Sequence, residues 1–81
     1  MNQFHNITAK ADENNLNLNV DGRQFRLRWA DCSVHLAKAT FSQRKIFEIS
    51  PSGYGIHWLE IDEYLAIDPL LEHATMVEKI A

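Results

Sequence analysis

Between residues 15 and 20 the chain reads Asn15-Leu16-Asn17-Leu18-Asn19-Val20, an unbroken alternation of amide and aliphatic side chains, and Asp21-Gly22 follows at once. Side chains of an extended strand point to opposite faces in turn, so this run puts Leu16, Leu18 and Val20 on one face and three asparagines on the other. A two-residue hairpin turn of type I′ needs positive φ at both central positions, which Asp tolerates and Gly accepts freely. The segment Arg23–Trp29 therefore folds straight back, with Phe25, Leu27 and Trp29 joining the aliphatic face and Gln24, Arg26 and Arg28 joining the amide face. One side of this hairpin must be buried and the other is polar and cationic.

The flanking residues extend the pattern. Phe4–Ala11 carries Ile7, Ala9 and Ala11 at alternate positions and predicts a further strand, with Asp12-Glu13-Asn14 as the turn. Asp31 or Ser33 can cap a short helix to about Ala39 or Thr40, with Val34, Leu36 and Ala37 facing inward. Ser42–Ile49 reads as a strand, Ser50-Pro51-Ser52-Gly53 as a turn, and Tyr54–Trp58 as a strand pairing back. Residues 59–67 read as acidic and irregular. Asp68-Pro69 marks the start of a closing helix, with Asp68 as its cap and a stripe of Leu70, Leu71, Ala74, Val77 and Ile80. The expected architecture is α+β: a single small two-layer domain over residues 1–81, ordered β-β-β-α-β-β-α, with one mostly antiparallel sheet and helices on one face.

Composition narrows the classes. The 81 residues are 46% hydrophobic and 23% charged, a globular balance and not that of a disordered chain. One cysteine, Cys32, precludes an internal disulfide. No secretory n-region and h-region open the sequence and no run reaches the roughly 18 apolar residues of a membrane span, so a cytoplasmic, membrane-free protein is expected. The net charge of −3 is unevenly placed: residues 1–45 hold seven Lys/Arg and four Asp/Glu, residues 46–81 one and seven. That split implies either packed, complementary halves or a two-signed surface suited to a partner or a head-to-tail dimer.

The chemistry-bearing residues do not assemble into a recognised constellation. His5, His35, His57 and His73 lack structural-zinc spacing, the Cys32/His35 pair supplying two of about four ligands, so no metal or cofactor is expected. Cys32 as a nucleophile would have only His35 as a local base. Glu60, Asp62 and Glu63 read as a solvated turn, with Asp62 capping the backbone after it. Gly53 and Gly55 lack the lysine and following helix of a phosphate loop: Gly53 supplies positive φ, Gly55 a close approach, and Trp58 a core anchor.

Asp21-Gly22-Arg23, Leu36, Ala37, Ala39, Thr40, Gln43-Arg44, the run Gly53-x-Gly55-Ile56-x-Trp58, then Ile61-Asp62-Glu63, Leu65 and Leu70-Leu71 together resemble the small bacterial family called domain of unknown function 2442, DUF2442. The resemblance spans most of the chain. Two positions depart from it: Leu59, where the family usually has proline, and Tyr64, where it usually has a second aspartate. It implies a compact α+β domain, often encoded beside a small partner protein in toxin–antitoxin-like pairs, and it supplies no catalytic residues. The expectation is a non-enzymatic protein–protein interaction module with a partner encoded nearby and a tendency to form a homodimer. The candidate surface is Arg23, Arg26, Arg28, Tyr54, His57, Glu60 and Glu63, with Gly22, Gly53, Gly55, Trp58 and Asp62 as structural positions. The alternative is a nucleic-acid-binding regulator using the Arg23/Arg26/Arg28 hairpin face.

Overall fold

The computed structural model describes residues 6–77, and Phe4, His5 and Ile80 lie outside them. The hairpin anticipated from the alternation is present: β2 (Asn15–Val20) and β3 (Arg23–Arg28) pair in antiparallel register from Asn15↔Arg28 to Val20↔Arg23. Asp21 and Gly22 have φ of 54° and 87°, the double positive of a type I′ turn. Asn19 Oδ1 accepts from Gly22 N at 3.1 Å and secures the turn. β1 (Ile7–Ala11) lies along the other side of β2. Between them Asp12 Oδ1 accepts from the backbone N–H groups of Asn14 and Asn15, at 2.9 and 2.6 Å, an Asx-type closure.

The middle of the chain is more helical than its sequence suggests. Trp29–Cys32 forms α1 and Val34–Lys38 forms α2, separated by Ser33, whose hydroxyl accepts from Leu36 N at 3.1 Å. A helix this short buries a single residue, Leu36; Val34 is 67% exposed and Ala37 is exposed, so neither faces inward. Asp31 lies inside α1 and pairs with Arg28. The expected strand over Ser42–Ile49 is split, because Thr40 and Gln43 form a reciprocal capping box that starts α3 (Phe41–Lys45), leaving only Phe47–Ile49 as β4.

β4, β5 (Gly55–Trp58) and β6 (Glu63–Ala66) form an antiparallel sheet of their own. The segment expected to be irregular thus contains a strand. The closing helix α4 runs Ile67–His73 with Ala66 as N-cap, so Asp68 stands in the first turn, not at the cap. It ends before Val77, because Thr75–Met76 (β7) returns to pair with β3 and Val77 N donates to Gln24 O at 2.8 Å. The described residues are α+β and antiparallel throughout, but in two sheets, β1-β2-β3-β7 and β4-β5-β6, where one was expected.

Both sheets feed one core: Leu16, Leu18, Val20 and Leu27 from the first, Ile56 and Trp58 from the second, with Trp29, Leu36, Ile67 and Leu70. Trp29 and Trp58 meet edge to face, ring centroids 6.3 Å apart at 85°. Each indole N–H reaches a main-chain oxygen, Trp29 to Asp12 O at 2.9 Å and Trp58 to Arg44 O at 3.0 Å, as burial of an indole requires. Arg44 gathers the pieces. Its Nε donates to Leu36 O (2.9 Å), Nη2 to Ala37 O (3.0 Å) and Nη1 to Glu13 O (3.2 Å), while the guanidinium carbon sits 5.2 Å from the Trp29 ring centroid. One side chain thereby joins the end of α2, the β1–β2 turn and the aromatic core.

Arg44→Met should lower stability by about 3 kcal/mol, because a hydrogen bond from a charged donor is worth about 1.5–3 kcal/mol and, of the three lost, the one to Leu36 O is part-buried while those to Glu13 O and Ala37 O are exposed and replaceable by water. Arg44→Lys should recover little, since an ammonium lacks the planar fork that spans them. Urea unfolding midpoints of the two variants check this. Gly55→Ala should also destabilise, by about 1–3 kcal/mol. An added Cβ would stand 2.8 Å from the main-chain oxygen of Leu65, which cannot swing away as a side chain does.

Candidate functional site

The outer face of the first sheet is set by register. Lys10 pairs with Asn17, Asn17 with Arg26 and Arg26 with Thr75, making a row across four strands. Thr8, Asn19 and Gln24 form the neighbouring row. Apart from Thr75 the two rows line a groove of about 360 Å³, to which Ala9, Leu18, Phe25 and Val77 also contribute and which no carboxylate of the described residues lines. Asn17 orders the row from its centre. Its Oδ1 accepts from Arg26 Nε at 3.3 Å and its Nδ2 donates to Asp12 Oδ2 at 2.9 Å. That amide, with the turn N–H groups and the Arg26 charge behind it, holds the Asp12 carboxyl below its ordinary range. Arg26 keeps both terminal nitrogens, and Lys10 its ammonium, without a hydrogen-bond partner among the described residues.

The three arginines expected to act together are divided. Arg26 and Arg28 share the outer face, where Arg28 Nε meets Asp31 Oδ2 at 3.2 Å. Arg23 stands an odd number of residues away and belongs to the other face, beside a cavity lined by Val20, Asp21, Phe25 and Leu71. Lys10, Thr8 and Glu48 were absent from the expected set, although each was legible as the polar alternate of a strand.

The second sheet also has an outer row, Glu48↔His57↔Tyr64. His57 Nε2 lies 3.0 Å from Asp62 Oδ1, and the His57 and Tyr64 rings are 6.3 Å apart. Asp62 has φ 51° and spends its side chain on His57 where a backbone cap was expected. Gly53, at φ 71°, has the positive value expected of it, and Gly55 gives the close approach expected: a Cβ there would stand 2.5 Å from the Tyr64 hydroxyl. Tyr54 (55% exposed) and Glu60 are at the surface. Glu63 is not with them. It turns to the opposite side of β6, where its side chain is 17% exposed and its Oε1 lies 3.2 Å from His35 Nδ1.

Cys32 and His35 are likewise apart in function. Cys32 borders a cavity with Asp31, Leu65, Ala66, Pro69, Leu70 and His73, and burial, reinforced by the Asp31 charge, pushes its thiol up to about 12. A thiol of that acidity supplies almost no thiolate at neutral pH, so it is a poor nucleophile where it stands. No group of three or more metal-ligating side chains occurs among the described residues, and no described helix is long and apolar enough to cross a membrane.

Comparison with known families gives a match over residues 5–75 to the model described as protein of unknown function, DUF2442, and the chain belongs to that family. No curated protein and no solved structure matches it.

Two titrations follow from these environments. Cys32 should resist thiol reagents at pH 8 in the folded protein and react fully in urea. Its contribution to stability should be complete below the ordinary value of 9.0 and fall as pH rises toward about 12, since the unfolded state then ionises first. Asp12 works in the other direction. Its contribution is present above the unfolded value of about 3.9 and is lost as acid protonates the folded carboxylate, a slope that Asp12→Asn should remove from acid-unfolding curves.

Proposed function

We propose that this member of the DUF2442 family is a non-enzymatic protein–protein interaction module whose four-stranded sheet binds an acidic surface of a partner protein. It would act as the antitoxin-like or regulatory half of a two-gene pair. The observation that carries the reading is the Lys10-Asn17-Arg26 row, whose Lys10 ammonium and Arg26 terminal nitrogens have no hydrogen-bond partner among the described residues, on a groove whose described lining includes no carboxylate, Asp12 standing beside it on Asn17. A flat polar sheet face with charges fixed by register suits a protein surface, because complementary potentials steer encounter and reject like-charged competitors. The half-buried Cys32, with its raised thiol, and the pairing of His35 and His57 with separate carboxylates fit a chain that binds and does no chemistry.

The same cations would also suit phosphates, the second reading. Among the described residues the outward rows carry no aromatic side chain on which bases could stack, which favours the protein partner.

The test is co-expression with the product of the adjacent gene, followed by size exclusion. The wild-type chain should co-elute at micromolar concentration, and the double variant Lys10→Glu/Arg26→Glu should weaken binding at least tenfold while Arg23→Glu should not. Failure of the wild-type chain to co-elute counts against the reading. Salt-sensitive binding of a single-stranded oligonucleotide, abolished by the same double variant, would transfer the face to nucleic acid.

A further inference from the structure

The outer faces of the two sheets are unlike in charge and alike in spacing. On the first, Lys10, Asn17 and Arg26 follow one another across three strands; on the second, Glu48, His57 and Tyr64 do the same. Adjacent strands in any sheet lie about 4.8 Å apart, so both rows repeat at one interval. Laid face to face, their ends are complementary, ammonium against carboxylate and guanidinium against a phenol ring, while the Asn17 amide and His57 Nε2 between them keep their own partners. Arg stacked on Tyr is a favourable pairing, and both side chains are already oriented. Asn17 holds Arg26 by its Nε, and the two terminal nitrogens have no hydrogen-bond partner among the described residues. Tyr64 is 49% exposed yet rests over Gly55 and beside His57, so it is ordered before any partner arrives. Asp62, with its side chain 93% exposed, and Glu60 add negative charge around the second row.

We propose that the Glu48-His57-Tyr64 row of one copy seats on the Lys10-Asn17-Arg26 row of a second copy. The contact is heterologous, since unlike patches meet, and the chain associates head to tail. Self-association then covers the same face that the partner reading assigns to an acidic protein, so the partner and the second copy exclude one another. Only this competition rests on the partner reading; the self-contact does not.

Two complementary variants test it, Lys10→Glu/Arg26→Glu and Glu48→Lys/Tyr64→Ala, with sedimentation and circular dichroism as readouts. The wild-type protein at low salt should show a mean mass that rises with concentration into the millimolar range and returns to that of the monomer in about 1 M salt, where screening acts over about 3 Å. Each variant alone should remain monomeric and folded. Mixed, they should form a 1:1 complex, because the first retains an intact acidic row and the second an intact cationic one. A monomeric wild-type chain under all these conditions, variants that still associate alone, or a mixture that stays monomeric would each overturn the proposal. Glu48→Lys/Tyr64→Ala separates the two readings, since it should lose self-association and keep the adjacent-gene partner.

Discussion

The Arg44 guanidinium is where the fold is assembled. Carbonyls at the end of a short helix and in a tight turn need donors that their own segments cannot supply, and an unpaired one in a low-dielectric setting costs about 1–3 kcal/mol. Arg44 supplies three of them from a single planar group and lies against Trp29, while its own carbonyl accepts from Trp58. The two sheets are separate ladders, so what joins them is side-chain packing and this network. The buried core of the described residues is small, ten side chains, and one well-placed charged fork takes over work that a larger core would give to extra apolar layers.

With that joint fixed, the outer faces follow from register. Asn17 is the cross-strand neighbour of both Lys10 and Arg26, and its amide bonds back to Asp12 in the turn before it. The chain therefore presents its cations from a hydrogen-bonded ladder, with the Arg26 Nε already tied to Asn17 before any binding. The charge asymmetry between the halves of the sequence becomes an asymmetry between surfaces, the first sheet cationic on its outer face and the second acidic and aromatic.

The first sheet was legible because its periodicity is strict: three Asn–aliphatic pairs and Asp21-Gly22 leave one register. The second was half legible. Phe47 to Ile49 and Gly55 to Trp58 show β character, but β6 reads Glu-Tyr-Leu-Ala, where the buried position is shared between Leu65 and a carboxylate bound to His35. No period-two hydrophobic signal survives that arrangement. The helix α3 was announced by Thr40-x-x-Gln43, a capping box that the apolar residues after it masked. The end of α4 was invisible locally, because the chain leaves the helix to add β7 to a strand some fifty residues earlier. As for the candidate surface, alternation placed Arg26 and Arg28 on the outward face, where their register has them, and, applied as strictly to Arg23, would have removed it.

The paired tryptophans have an optical consequence. Trp29 lies at the end of the first sheet and Trp58 in the second, edge to face and both nearly free of solvent. Two indoles at 6.3 Å couple their transitions, and that coupling exists only while the sheets are docked. The molecule thus carries a native chromophore pair whose near-ultraviolet dichroism reports the distance between its two halves, separately from the far-ultraviolet signal of either ladder.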